Sequence, residues 1–114
     1  MPHRTQEERN AYARTKYQED PVYRAKHLER VARARERQRA EVKRIIAEAK
    51  SPGCARCPEV DPVCLDFHHV SGVKIFAIGA RPTAAKKRLL AEIAKCEVLC
   101  ANCHRKEHAK KVQS

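Results

Sequence analysis

The rhythm of hydrophobic and polar positions changes twice along this chain. From Thr5 to Lys50 there is no glycine and a single proline, Pro21, and Glu, Arg, Ala, Lys and Gln dominate. These side chains lose little freedom on entering a helix. The pattern predicts a short helix up to about Glu19, a break at Asp20–Pro21, and a longer helix from about Val22 to Ala49. Apolar residues recur at Leu28, Val31 and Ala32, and again at Val42, Ile45, Ile46 and Ala49. The second group falls on one helical face and could dock against a core. Between the groups, Arg33 to Glu41 is nearly all polar. That stretch reads equally as a solvated helix held by Glu–Arg pairs, each adding about 0.2–0.5 kcal/mol, or as a helix lying on phosphate.

After Ser51-Pro52-Gly53, which no helix continues through, the pattern becomes shorter and more β-like. Val63 to Val70 reads as a strand, Ser71-Gly72 as a turn, and Lys74 to Ile78 as a second strand paired to the first in a hairpin. Gly79 to Pro82 is a loop. Thr83 is a candidate N-cap for a helix running to about Lys95, with Leu89, Leu90 and Ile93 on its apolar face. Cys96 to Leu99 is short and extended, and a last helix runs from Cys103 to about Lys111. The expected class is a small α+β domain over residues 52–114, preceded by a basic helical segment over residues 1–51.

Composition sharpens this division. The chain has 114 residues and a formal net charge of +11, from 25 Lys and Arg against 14 Asp and Glu. Both halves are basic, with 14 basic and 8 acidic residues up to Ser51 and 11 and 6 after it. A polyanionic partner is implied, and nucleic acid is the commonest one. A membrane surface is a poorer match, because no stretch has the apolar face that insertion needs. Met1 to Asn10 is polar, without the apolar run of a secretory signal, and no window approaches a membrane span. The expected location is a reducing cytoplasm. There, closely spaced cysteines read as metal ligands or redox sites before disulfides.

All six cysteines lie after Pro52, where roughly 60 residues make a core that is marginal on burial alone. Cys54-x-x-Cys57 and Cys100-x-x-Cys103 form two knuckles. A two-residue gap turns both sulfurs of a pair toward one point, and two pairs complete a tetrahedral thiolate shell for one structural zinc. A redox pair would not account for the motif occurring twice. Cys64 and Cys96 stand outside the knuckles and read as small buried hydrophobes.

Four of the six histidines fall in two places: His68-His69 in the first strand, and His104 and His108 after the second knuckle. On a helix, i and i+4 share a face, so His104 and His108 can address one ion. In a regular strand His68 and His69 point to opposite faces, and Asp66 shares the His68 face, where it is a reserve ligand or an orienting carboxylate.

Leu65-Asp-Phe-His-His-Val70, Gly72-x-Lys74-x-Phe76-x-Ile78, and Glu92-Ile-Ala-Lys-Cys-Glu-Val-Leu-Cys-Ala-Asn-Cys-His104 together resemble the HNH endonucleases, in particular small phage-type members with a four-cysteine zinc knuckle pair. The resemblance covers about residues 52–110. It implies the ββα-metal fold, a hairpin followed by a helix with a divalent ion between them, and metal-dependent hydrolysis of DNA. His69 matches the general base, His68 and His104 the ligands of the catalytic ion, and His108 a further ligand. Asn102 is read either as the residue that orients the base or as the N-cap of the last helix. The ion implied is Mg²⁺ or Mn²⁺, with Ni²⁺ or Zn²⁺ admitted by the His-rich ligation. Lys74, Arg105 and Lys106 are candidates for contacting the backbone phosphates of double-stranded DNA. Phage packaging or replication proteins would be natural further partners, and a host cytoplasm the location of a phage-encoded chain. The rival reading is a non-catalytic zinc-knuckle module that binds DNA or RNA.

Overall fold

Residues 4–113 are described by the computed structural model. Among them are four α-helices and one two-stranded antiparallel sheet, a small α+β arrangement. Packing divides the chain into two units with the boundary between Arg37 and Gln38, inside the long helix and well before the composition boundary at Ser51.

The first unit holds α1 (Gln6–Glu19) and the start of α2 (Pro21–Lys50). Thr5 opens α1 with a capping box: its hydroxyl accepts from the Glu8 amide at 3.1 Å while the Glu8 carboxylate reaches back to the Thr5 amide. The predicted break falls where expected. Asp20 closes α1 and its carboxylate accepts from the Val22 and Tyr23 amides at 3.0 and 3.1 Å, so it also starts α2. The Arg24 guanidinium donates back to the Tyr17 and Gln18 carbonyls, satisfying acceptors that the end of α1 leaves open. No residue of α1 is buried, and Arg30, Arg33, Arg35 and Arg37 are all exposed.

In the second unit, the final turns of α2 supply a wall of the core. Val42 and Ile45 are buried with Phe76 and Leu89, and Ile46, Ile78, Ala84 and Ile93 pack around them. The docking face read from the spacing of Val42, Ile45 and Ile46 is therefore used, and this is why the packing boundary lies N-terminal to it. Gly53 then turns the chain with φ +83°, and a Cβ there would meet the Glu59 carbonyl oxygen at 2.7 Å, so only glycine passes without displacement.

Strand β1 (Leu65–His69), preceded by a 3-10 turn at Pro62–Cys64, pairs antiparallel with β2 (Cys96–Cys100), with Leu65 opposite Cys100 and His69 opposite Cys96. The hairpin expected between β1 and Lys74–Ile78 does not form. The Ile75 amide, which a ladder would use, donates at 3.1 Å to the Glu92 carboxylate instead. Phe76 is taken into the core while Ile75 stays 71% exposed. The alternation at Lys74–Ile78 thus serves a loop anchored by one aromatic side chain, and the true partner of β1 is the short segment read only as extended. Helix α3 (Lys86–Ile93) is shorter than expected at both ends. Its cap position is Ala85, without a side-chain bond, so Thr83 does not cap it. Leu89 and Ile93 face the core as read, but Leu90 is 45% exposed. Helix α4 (Ala101–Gln113) follows β2 directly and packs on both strands.

Candidate functional site

The two cysteine knuckles come together as their spacing required. The Sγ atoms of Cys54, Cys57, Cys100 and Cys103 all lie within 4.8 Å of one another, with Cys57 and Cys100 at 3.5 Å. Four thiolates at 2.3 Å from one zinc would stand about 3.8 Å apart, so the cluster fits such an ion. The backbone favours the ionised form that a metal needs. The Arg56 amide points at Cys54 Sγ (3.5 Å) and the Cys103 amide at Cys100 Sγ (3.4 Å), so the first cysteine of each knuckle receives an N–H. Burial opposes ionisation of Cys54, but the amides of Cys100 and Arg56 outweigh it and bring its thiol down to about 6. The Cys103 amide likewise lowers Cys100. Cys103 is pushed up to about 12, chiefly by Cys100 beside it. Crowded thiolates therefore resist a third and fourth ionisation, and a divalent cation is what relieves that repulsion. Leu65 and Leu99 close the apolar side of the cluster.

A second knot of ligand atoms lies where β1 meets α4. One ring nitrogen from each of His68, His104 and His108 falls within the same 4.8 Å limit. His68 is buried, His104 half-buried and His108 exposed, so the group is solvent-accessible along one side. The Nε2 atoms of His104 and His108 are 3.0 Å apart, the separation of about 3 Å expected of two imidazoles on one ion. The other nitrogen of His104, Nδ1, lies 3.3 Å from Asp66 Oδ2. That carboxylate–histidine pairing turns Nε2 outward and is the usual support of a metal-ligating histidine. Of the two readings given to Asp66, reserve ligand or orienting carboxylate, this contact with His104 is compatible with the second.

His69 is not part of this knot. As the strand geometry requires, it leaves the sheet on the other face, where its Nε2 lies 3.1 Å from Glu92 Oε1. His69 lines a cleft of about 240 Å³ together with Lys50, Phe67, Lys74 and Ala77; of the residues around the histidine knot only Asp66 reaches it. Lys74 thus lines the same cleft as His69. Arg105 and Lys106 are exposed on α4. At about 100° per residue, Arg105 flanks the His104–His108 face and Lys106 falls on the far side. Asn102 is exposed at the second position of α4, two residues past the cap position at Cys100, so it does not cap the helix. Cys64 and Cys96 join neither ligand group among the described residues and are half-buried, not enclosed. Cys64 sits beside Glu59, which raises its thiol, and the Cys96 thiol donates to the Glu92 carbonyl at 3.4 Å.

Two functional partners were missed by sequence reasoning. Glu92 is 1% exposed; its signal was an acid lying three residues after Leu89, on the face that must be buried. Arg56, inside the first knuckle, pairs with Glu97 of β2 at 2.6 Å and with Glu107 of α4. No local pattern announces that tie. No protein-family model, curated protein or solved structure matches the chain. No helix of the described residues is long and apolar enough to cross a membrane.

Proposed function

We propose that this protein is a metal-dependent endonuclease of the HNH type, hydrolysing DNA phosphodiester bonds with His69 and the histidine knot. The observation that carries the reading is the division of four histidines. Three nitrogens converge, one of them backed by Asp66, while the fourth histidine, next in sequence to a converging one, is held apart and oriented by a carboxylate. A structural zinc site alone needs none of this. Strand β1 pairs with β2 and α4 follows β2 directly, although α3 stands between the two strands where the resemblance implies a hairpin.

His68, His104 and His108 would hold the catalytic divalent ion, with Asp66 fixing His104. When bound, that ion would supply Lewis-acid stabilisation of the charge that develops on the phosphoryl and leaving oxygens. Neutral His69 accepts the proton of a water aligned on the phosphorus. As the new P–O bond forms, the bond to the 3′ oxygen breaks, leaving 5′-phosphate and 3′-hydroxyl ends. Lys50 and Lys74, which line the cleft with His69, neutralise backbone phosphates there. The four-cysteine site closes the fold by joining the segment before β1 to the start of α4, and takes no part in the reaction.

The test is conversion of supercoiled plasmid to nicked or linear forms in the presence of Mg²⁺, Mn²⁺, Ni²⁺ or Zn²⁺, for the wild type and His69→Ala. Cleavage that depends on added metal and is lost in the variant supports the reading. Tight DNA binding without cleavage under any metal would instead make the chain a zinc-knuckle binding module.

A further inference from the structure

We propose that Glu92 is the positioning residue of His69: it accepts a hydrogen bond from Nε2, selects the Nε2–H tautomer, and leaves Nδ1 as the nitrogen that takes a proton. This rests on the reading of His69 as the base, but its structural core can be tested without any cleavage.

A carboxylate as enclosed as Glu92 is costly unless each oxygen has partners. Both have. Oε1 accepts from the Ile75 amide at 3.1 Å and faces His69 Nε2 at 3.1 Å, and Oε2 accepts from Lys95 Nζ at 3.1 Å. Lys95 also donates to the Val73 carbonyl at 2.7 Å. The loop is thereby held at Ile75 by the same side chain that reaches the histidine, and at Val73 by Lys95, which also pairs with Glu92. Burial would raise the Glu92 carboxyl, but the Ile75 amide and Lys95 outweigh it and hold it below its ordinary value. An ionised carboxylate can only accept, so the shared proton belongs to the ring nitrogen. A histidine with one nitrogen committed in this way presents its lone pair on the other. The same logic orients the imidazole of an acid–histidine pair in hydrolases.

Glu92 could be merely structural, a clasp for the loop. Glu92→Met and Lys95→Met separate the roles. The first removes Oε1 from both His69 and Ile75 at a similar side-chain volume, whereas the second breaks the Lys95 link to the Val73 carbonyl and leaves Oε1 on His69. The direct readout is the long-range ¹H–¹⁵N spectrum of ¹⁵N-histidine in full-length, zinc-loaded protein at about pH 8; His69 is assigned by its absence from the His69→Gln spectrum. The Nε2–H pattern for His69 in the wild type, lost in Glu92→Met and kept in Lys95→Met, is the expected result. An Nδ1–H pattern in the wild type overturns the proposal, even if a variant fails to fold, and so does a pattern unchanged by Glu92→Met. In the cleavage assay Glu92→Met should lower kcat by roughly 10²-fold or more with little change in KM. A wild type that shows the Nε2–H tautomer but never cuts DNA would remove the base role and leave the tautomer assignment standing.

Discussion

His68 and His69 are neighbours with different employments, and the pleat of β1 is what separates them. If His69 is base and not ligand, His69→Ala should lose cleavage by roughly 10²–10⁴-fold while binding the catalytic ion as the wild type does. His104→Ala should lose the ion, and excess metal should partly restore cutting. Calorimetric metal titrations beside nicking time courses check both, and loss of ion binding in His69→Ala alone would reverse the roles. Glu92 adds a pH dependence. Because its folded carboxyl sits below its ordinary 4.5, its ionisation stabilises the fold fully above that value, and the contribution fades as pH falls through the lower folded value. The midpoint difference between wild type and Glu92→Gln in thermal melts should therefore be greatest at neutral pH and shrink below about pH 4.5. The histidines and cysteines were legible in the sequence because ligand chemistry imposes short spacings that survive without context. Glu92 was not, since its partners His69 and Ile75 lie far along the chain and its own neighbours spell an ordinary amphipathic helix.

Among the elements, the helices of the N-terminal half were readable nearly to the residue because helix signals are local: no glycine, one proline, and Asp20 able to end one helix and begin the next. The sheet was misread because strand pairing is not local. Lys74–Ile78 alternates as a strand should, yet β1 found its partner beyond α3, where Leu99 is fully buried and Ile75 is not. Core packing should report this arrangement. Leu89, with 0% exposure, lies against Val42, Ile45 and Phe76, so Leu89→Ala should cost about 2–5 kcal/mol in denaturant unfolding. Leu90→Ala, one residue on and 45% exposed, should cost far less, and equal losses would contradict the orientation of α3. The arginines of α2 make a different prediction. Replacing Arg30, Arg33, Arg35 and Arg37 with Gln leaves the second unit's core untouched. It should weaken DNA binding and flatten its salt dependence, by up to about 0.9 in log–log slope for each phosphate no longer neutralised. Fluorescence anisotropy at several salt concentrations measures it, and an unchanged slope would assign the helix to some other partner.

At the scale of the whole second unit, few apolar side chains are enclosed. One group gathers around Leu89 and another around the cysteines. On the reading of the four cysteines as a zinc site, a unit with so divided a core would draw cohesion from it. Cys57→Ser, or chelation of the metal, should unfold residues 38–114 as judged by loss of dispersed amide signals, because ion binding here is folding energy. A chain that keeps its fold with no metal bound would mean that packing alone suffices. The Arg56 ties to Glu97 and Glu107 reinforce the same closure, but as partly exposed ion pairs they contribute only about 1 kcal/mol or less each.

One consequence of the pairing order concerns how such a protein is made. The first knuckle and β1 leave the ribosome well before their counterparts, since Cys54 and Cys57 wait for Cys100 and Cys103, β1 waits for β2, and His68 waits for His104. Until then the emerging segment holds two thiols and a pair of histidines with nothing to complete them, and the entropy of closing so long a loop opposes early assembly. Both ligand clusters and the sheet therefore mature in a single late event. On the proposed activity, an abandoned or truncated translation product lacking α4 cannot cut nucleic acid, and the cell that synthesises the chain meets its cutting power only once the second knuckle and the helix behind it have been read.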